Sequence, residues 1–366
     1  MKNLAILCSG LEKRKTRGYE NSSLNLFLLL KQSNKCNVFL YKGSGEKSDG
    51  QIPLKSKFKG LVESIFRKTI KPLFNDDYYG IEYFVFALYF ICYCILKVKK
   101  YDFIYSKEPR VMLTLKRFRF FLRGNPKLVF NLGQMMPPKV FHGVADIIHL
   151  VNNKTHKQAL EEYNTPNKFF LIPNPISSAK KFSSKNNKNE IIRKYGIKTT
   201  KIIVSIGSDA KIKRMAYVIS EVSKLDNSWT LMLVGNIDKE IINLGHGTLK
   251  DRFITTKVPP EEIGEIFTLA HFSVLASTSE GFGNVVIESM MNSIPVFVHK
   301  RPLNEYIVND ERLLVDMTKE GALSEKINNI TSNDYIDISN KCYKRYKACF
   351  SSKAILPLYL KMFDSI

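Results

Sequence analysis

Twice along this chain of 366 residues, short apolar runs alternate with helix-like stretches, and one polar segment separates the two series. In the first series Leu4–Ser9 (LAILCS), Asn37–Tyr41 (NVFLY, ended by GSG), Tyr101–Tyr105, Lys127–Asn131, Ala145–Val151 and Phe169–Ile172 read as buried strands. Helices are expected over Ser22–Leu30, opened by Asn21 and Ser22, and over the apolar run Phe84–Leu96. The second series has strands at Lys201–Ile206, Thr230–Val234, Arg252–Thr255, Phe272–Ala276 and Pro295–Val298, with helices near Met215–Leu225, over Pro260–Ala270 and around Glu288. Strand–helix–strand alternation implies parallel sheets, because parallel neighbours need a long crossover and a helix is its usual form. The separating segment, PNPISSAKKFSSKNNKNE, is rich in Pro, Ser, Asn and Lys and has no apolar period. The expectation is an α/β chain of two doubly wound domains, 1–178 and 191–350, with a linker at 179–190 and a C-terminal helix at 351–366 that returns to the first domain.

Length agrees with two domains, and a hydrophobic fraction of 44% suffices for two cores. The longest apolar run, Phe84–Leu96, has 13 residues, short of the ~20 that span a bilayer, and is expected to be a buried helix. The start, MKNLAILCSGLEKRK, reads as a first strand rather than a secretory leader. Six cysteines without CxxC spacing fit buried thiols in a reducing cytoplasm, and Cys92 and Cys94 are read as core thiols. Net charge is +22, and residues 1–180 carry +17 of it. The basic clusters are KRKTR (13–17), KSKFKGLVESIFRKTIK (55–71), KVKK (97–100) and KRFRFFLR (116–123). Aromatic and aliphatic residues interleave with cations in the second and fourth, which suits an anionic membrane surface better than nucleic acid; a merely solvated face is the alternative.

Function is concentrated in STSEGFGNVVIESMMNSIPVFV (277–298). The strands of the second series run into Gly207, Gly235 and this glycine-bearing turn. A helix that begins just after such a turn points free N–H groups at a ligand, a geometry that holds phosphate. Carboxylates bind hydroxyls instead, so Glu280 before the turn and Glu288 within the helix address other parts of the same ligand. Phosphate flanked by two hydroxyl-bearing groups describes a nucleotide sugar. EGFGNVVIESMMNSIPV resembles the E-x7-E signature of the retaining family 4 glycosyltransferases, whose GT-B fold has two Rossmann-like domains facing across a cleft.

The resemblance implies that Glu280 contacts donor-sugar hydroxyls and Glu288 the ribose. SIGSDAKIKR is similar to the family's G-R-x-x-x-x-K element, with Gly207 and Lys213 matching and Ser208 in the arginine position. FFLIPNPIS resembles its I-P-N-G-V-D segment, RGYE its GG-x-E-like turn and NLGQMMPP its NGG-x-x-x-PP loop. The implied donor site is Gly207, Ser208, Lys213, Arg214, Glu280, Gly281, Phe282, Gly283, Asn284 and Glu288, with Lys211 a further candidate cation. Glu280 and Lys213 are the catalytic pair, the first orienting the sugar and the second stabilising the departing phosphate. Gly18, Tyr19, Gln134 and His149 are candidate acceptor or cleft residues; for His149 a core role is the competing reading, and the family's loop histidine has no counterpart. No Asp-x-Asp pair occurs, so neither a metal nor any other cofactor is expected. The expected activity is retaining transfer from a nucleotide sugar to a glycan or lipid-linked acceptor, performed peripherally on the cytoplasmic face of a membrane. The rival readings are a non-catalytic nucleotide-sugar-binding protein, a peripheral scaffold built on the basic face, and a GT-B epimerase.

Overall fold

The computed structural model describes residues 1–12, 18–54, 78–133, 135–177, 188–207, 211–259 and 262–365. The basic stretches 13–17 and 55–71, most of the expected linker, and the candidates Gln134 and Ser208 lie outside them. The chain divides into two compact units, Met1–Pro175 with Ile355–Ile366, and Ile176–Ala354.

The first unit holds a seven-stranded sheet of β1 (Lys2–Cys8), β2 (Cys36–Lys42), β3 (Gln51–Pro53), β4 (Phe103–Ser106), β5 (Lys127–Leu132), β6 (Ile147–Leu150) and β7 (Phe169–Leu171), in the order β3-β2-β1-β4-β5-β6-β7. Every pairing is parallel, with Leu4 opposite Val38 on one side and Phe103 on the other. Side chains of successive strand residues point to opposite faces, which explains why unbroken apolar runs were needed: both faces are covered. Ala5, Leu7, Ile104, Leu128 and Phe130 pack with Phe86, Ala87, Phe90 and Ile91 of the helix Tyr78–Leu96 and with Val111, Met112 and Leu115 of the helix Pro109–Arg117. Leu4, Ile6, Cys8, Phe103 and Val129 pack on the other face with Leu26, Phe27 and Leu30 of the helix Gly18–Ser33. Ile355, Tyr359, Met362 and Phe363 of the closing helix Ser352–Asp364 join this second face.

Three expectations need correction. The helix Tyr78–Leu96 is buried on one face only, and its last turn exposes Ile95 and Leu96. Cys92 is exposed there while Cys94 is buried, so only one of the two is a core thiol. The helix after β1 starts at Gly18 rather than at Asn21, and the Ser22 hydroxyl is turned inward, donating to the Tyr19 carbonyl at 2.9 Å. Among the described residues no helix is long and apolar enough to cross a membrane.

The second unit has a six-stranded sheet of β8 (Lys201–Ile206), β9 (Trp229–Val234), β10 (Phe253–Thr256), β11 (Phe272–Leu275), β12 (Val296–His299) and β13 (Leu314–Val315), in the order β10-β9-β8-β11-β12-β13 and again wholly parallel. Ile202, Val204, Met232 and Val234 meet Ile263, Ile266 and Phe267 of the helix Ile263–Leu269 on one face. Both units are thus doubly wound, Rossmann-like sheets.

Phe363 is 1% exposed and meets Phe103 edge-on at 5.3 Å between ring centroids. Phe363→Ala is expected to destabilise the protein by about 3–5 kcal/mol, the cost of a cavity of that size. The midpoint of urea unfolding measures it, and a change below about 1 kcal/mol would show that the closing helix is not part of the first core.

Candidate functional site

Strand order reverses beside β1 in the first sheet and beside β8 in the second, since each has neighbours reached in opposite directions. In doubly wound sheets the carboxyl ends of the strands at such a reversal splay apart and leave a crevice for ligands. In the second unit those strands are β8 and β11. Beyond β8 the backbone turns at Gly207 and passes through the short 3-10 helix Lys211–Lys213 into the helix Met215–Ser223. Beyond β11 it enters Ser277–Gly283 and the helix Asn284–Met291.

Topology therefore brings Lys213 to Glu280. Their side chains form a largely buried ion pair between Lys213 Nζ and Glu280 Oε1. The stem of Lys213 runs past Gly207, where a β-carbon would lie 3.5 Å from Lys213 Cε. The Thr278 N–H donates to the Ile212 carbonyl at 3.2 Å, tying the two turns together. Gly283 is the N-cap of the helix Asn284–Met291 with φ 76°, a left-handed conformation that glycine adopts without strain. No side chain caps this helix, and the Val286 N–H donates back to the Gly283 carbonyl at 2.9 Å, while the N–H groups before it have no acceptor in a helical ladder. Glu288 lies on its buried face at 4% exposure.

Three of the buried polar atoms without a hydrogen-bond partner belong to this turn and to the segment after β12. Ser277 Oγ at the end of β11, Asn284 Oδ1 at the start of the helix and Arg301 Nε after β12 are all of this kind among the described residues. Such groups are uncommon in folded proteins because each forfeits its hydration, and they mark places where a ligand or water completes the structure.

Other expected residues fall differently. Phe282 is buried with its ring edge-on to Phe350, so it anchors the turn through the core. Arg214, in the left-handed region at φ 53°, lays its guanidinium over the Tyr217 ring at 4.8 Å. The Lys211 side chain is not among those described. Arg301, half-buried beside the Glu280 carbonyl, carried no signal in the sequence, where KRP after an apolar strand reads as an ordinary polar turn.

The reversal in the first unit carries a second group of polar residues. Glu108, just past β4, accepts from the Ser9 N–H at 3.0 Å and the Ser9 hydroxyl at 2.8 Å. Burial pushes its carboxyl up to about 8 against the opposing Ser9 hydrogen bonds, with Glu20 and Glu82 adding to the rise. Lys107 donates to Ser22 Oγ at 2.6 Å and Asn174 Oδ1 at 2.8 Å, and burial lowers its ammonium to about 7. Tyr19 Oη is buried without a partner among the described residues, and a β-carbon at Gly10 would come within 2.7 Å of it. Gly18 is exposed at the start of its helix. His149 belongs to the core: it is 0% exposed, Nε2–H donates to the Ile172 carbonyl at 2.7 Å, and Nδ1 accepts from Tyr105 Oη at 2.9 Å. Burial drives its pKa down to about 3, so it stays neutral, as a core residue would. Among the described residues no three His, Cys, Asp or Glu side chains are placed to share a metal ion.

Because Glu108 titrates near 8 when folded and at 4.5 ordinarily, the folded protein holds a proton that the unfolded chain releases between those values. Its contribution to stability is full below pH 4.5 and is lost as pH rises towards 8. Lys107 has the opposite slope, between about 7 and 10.5. Glu108→Gln is expected to flatten the fall in urea midpoint between pH 5.5 and 7, and an unchanged slope would mean that Glu108 is charged when folded.

Residues 187–348 match the family model described as glycosyl transferases group 1. No curated protein matches the chain. Among solved structures, Anabaena HepE in complex with UDP and glucose is similar with a TM-score of 0.74 at 14% identity, each chain covered over 100% of its length. Sucrose-phosphate synthase from Thermosynechococcus elongatus gives 0.74 at 16% identity, again with 100% of both chains covered. WaaG, a glycosyltransferase involved in lipopolysaccharide biosynthesis, gives 0.65 at 12% identity, with 98% of each covered. Likeness at these identities speaks for fold, and the family match speaks for the second unit. The chain has the GT-B fold, and the match to the glycosyl transferases group 1 model falls within its second unit.

Proposed function

We propose that this protein is a retaining glycosyltransferase that moves a sugar from a nucleotide-sugar donor to a glycan or lipid-linked acceptor in the synthesis of a polysaccharide or glycoconjugate. The observation that carries the reading is the Lys213–Glu280 pair at the strand reversal of the second sheet, with buried polar atoms that lack partners among the described residues on Ser277, Asn284 and Arg301. HepE was solved with UDP and with UDP-glucose, which supports a nucleoside-diphosphate sugar as donor.

In this reading the diphosphate lies at the start of the helix Asn284–Met291, where oriented N–H groups favour an anion. Glu288 takes the ribose hydroxyls and Glu280 those of the sugar. When the glycosidic bond breaks, negative charge grows on the distal phosphate, and the Lys213 ammonium with the amides of Gly281–Asn284 stabilises it. The acceptor hydroxyl attacks from the face the phosphate leaves and passes its proton to that phosphate, so no separate side-chain base is required. The sequence offers no Asp-x-Asp pair to anchor a metal diphosphate, and the mechanism invokes neither metal nor other cofactor.

Peripheral attachment to the cytoplasmic face of a membrane is part of the proposal. Its support is a patch on the first unit, where Phe120 is 75% and Phe121 49% exposed, their rings 4.1 Å apart, among Lys116, Arg117 and Arg123. Arg119 is engaged with Asp146 at 2.9 Å and contributes less. Each cation near an anionic surface adds about 1 kcal/mol, and inserted aromatic rings add the apolar share.

Glu288→Ala is expected to weaken nucleoside-diphosphate binding about tenfold or more, the worth of hydrogen bonds to a charged group. Glu280→Ala is expected to leave that affinity within about twofold and to depress transfer, the pattern of a group that acts on the sugar. Calorimetry and donor turnover over a panel of nucleotide sugars measure both. Binding without any transfer across acceptors would favour the non-catalytic reading. For the membrane arm, the protein is expected to sediment with anionic but not neutral vesicles at low salt, and Phe120→Ser with Phe121→Ser to weaken this without moving donor affinity. Equal failure to bind both vesicle types would leave the patch as a solubility feature.

A further inference from the structure

Among the described side chains, charge around the donor turn does not balance. The reading above, on which this inference rests, brings a dianionic diphosphate to a place where the lysine that should meet it is already joined to Glu280. Lys213 and Glu280 together are neutral. Position 208 holds serine, where the resemblance places an arginine. Arg214 lies over Tyr217, and Lys300 is paired with Glu311 at 3.3 Å.

Arg301 differs from these. It follows β12, the strand next to β11, and reaches back to the Glu280 carbonyl with Nη1 at 3.4 Å and to Asn304 Oδ1 with Nη2 at 3.4 Å. Both contacts are at the long end for an N–H···O bond, and Nε is buried with no partner among the described residues. A guanidinium has five N–H donors in a planar fork, so most of this one's capacity is unspent in a half-buried position. Burial lowers its pKa and Glu280 opposes that, but arginine remains charged throughout the physiological range. The positive charge is held in place by the fold while most of its hydrogen bonds remain to be made.

We infer that Arg301 is the second cation of the donor site, binding the distal phosphate of the nucleoside diphosphate from the β12 side and supplying the charge that Ser208 cannot. The fork of Arg301 matches two phosphate oxygens, while Lys213 is a single point charge shared with Glu280. Arg301 also fixes the Glu280 backbone, so phosphate binding and sugar orientation meet at one side chain.

The test is calorimetric titration of the full chain with UDP, GDP and ADP, followed by the monophosphate of the base that binds best. Arg301→Gln is expected to weaken the diphosphate by about 10- to 100-fold and the monophosphate by less than about threefold, because the distal phosphate alone loses its partner. Arg301→Lys should recover part of the loss. In the wild-type chain, saturating diphosphate should slow phenylglyoxal modification of Arg301, read by mass spectrometry, and this readout does not depend on a variant folding. Unchanged diphosphate affinity in Arg301→Gln, equal losses for mono- and diphosphate, or no protection from phenylglyoxal would overturn the inference while leaving the donor reading intact. Failure of the wild-type chain to bind any of the three diphosphates would overturn the donor reading, and the inference with it.

Discussion

Parallel pairing in both sheets is the constraint on which the rest depends. A parallel strand cannot be followed directly by its neighbour, so each connection climbs back over a face of the sheet, and every carboxyl end opens at the same edge. The turns after β8, β11 and β12 are sequence-distant, yet they converge because their strands are neighbours or next neighbours in one sheet. Backbone packing tightens the arrangement. Gly235, after β9, has φ 144°, and a β-carbon there would lie 1.9 Å from the Gly207 carbonyl oxygen. Any side chain at 235 would push the β8 turn aside, and Lys213 with it.

The Lys213–Glu280 pair has a double role in such a frame. Without ligand it satisfies two charges that would otherwise lie desolvated at the end of the sheet. On the proposed reading, a diphosphate and a sugar would give the same two groups partners of their own, so that the ion pair would be exchanged for them rather than simply broken. In the same reading Arg301, beside the Glu280 carbonyl, would ease that exchange, because the incoming anion would meet a net positive charge.

Strands were legible in the sequence because β1, β8 and β9 are buried on both faces and need unbroken apolar runs. The Glu280–Glu288 turn was legible because its glycines and spacing have a mechanical purpose. Helices were harder. The helix Ser332–Cys349 buries only Ile338 and Cys342, so no apolar stripe announces it, and its start rests on the Thr331–Asp334 capping box. β3 has three residues ending in proline at a sheet edge, too little pattern to stand out. Tyr78–Leu96 misled through composition, since a helix this apolar reads as buried all round although only one side faces the sheet. Arg301 and Ser277 were invisible for another reason: their interest lies in unfilled hydrogen bonds, which only three-dimensional placement reveals.

The closing helix has a consequence for the order of assembly. Tyr359 donates to the Pro173 carbonyl at 3.1 Å, and its ring stands edge-on to His149 at 5.3 Å, with Met362 and Phe363 completing the same face. These residues follow the whole of the second unit in the chain. During vectorial synthesis the second unit can finish folding as soon as it emerges, whereas the first must wait with the part of one sheet face that the helix Gly18–Ser33 leaves open still uncovered, although it was made earlier. The earlier-made half of the protein is therefore the later to mature, and its uncovered apolar face is where a chaperone would find a nascent chain to hold.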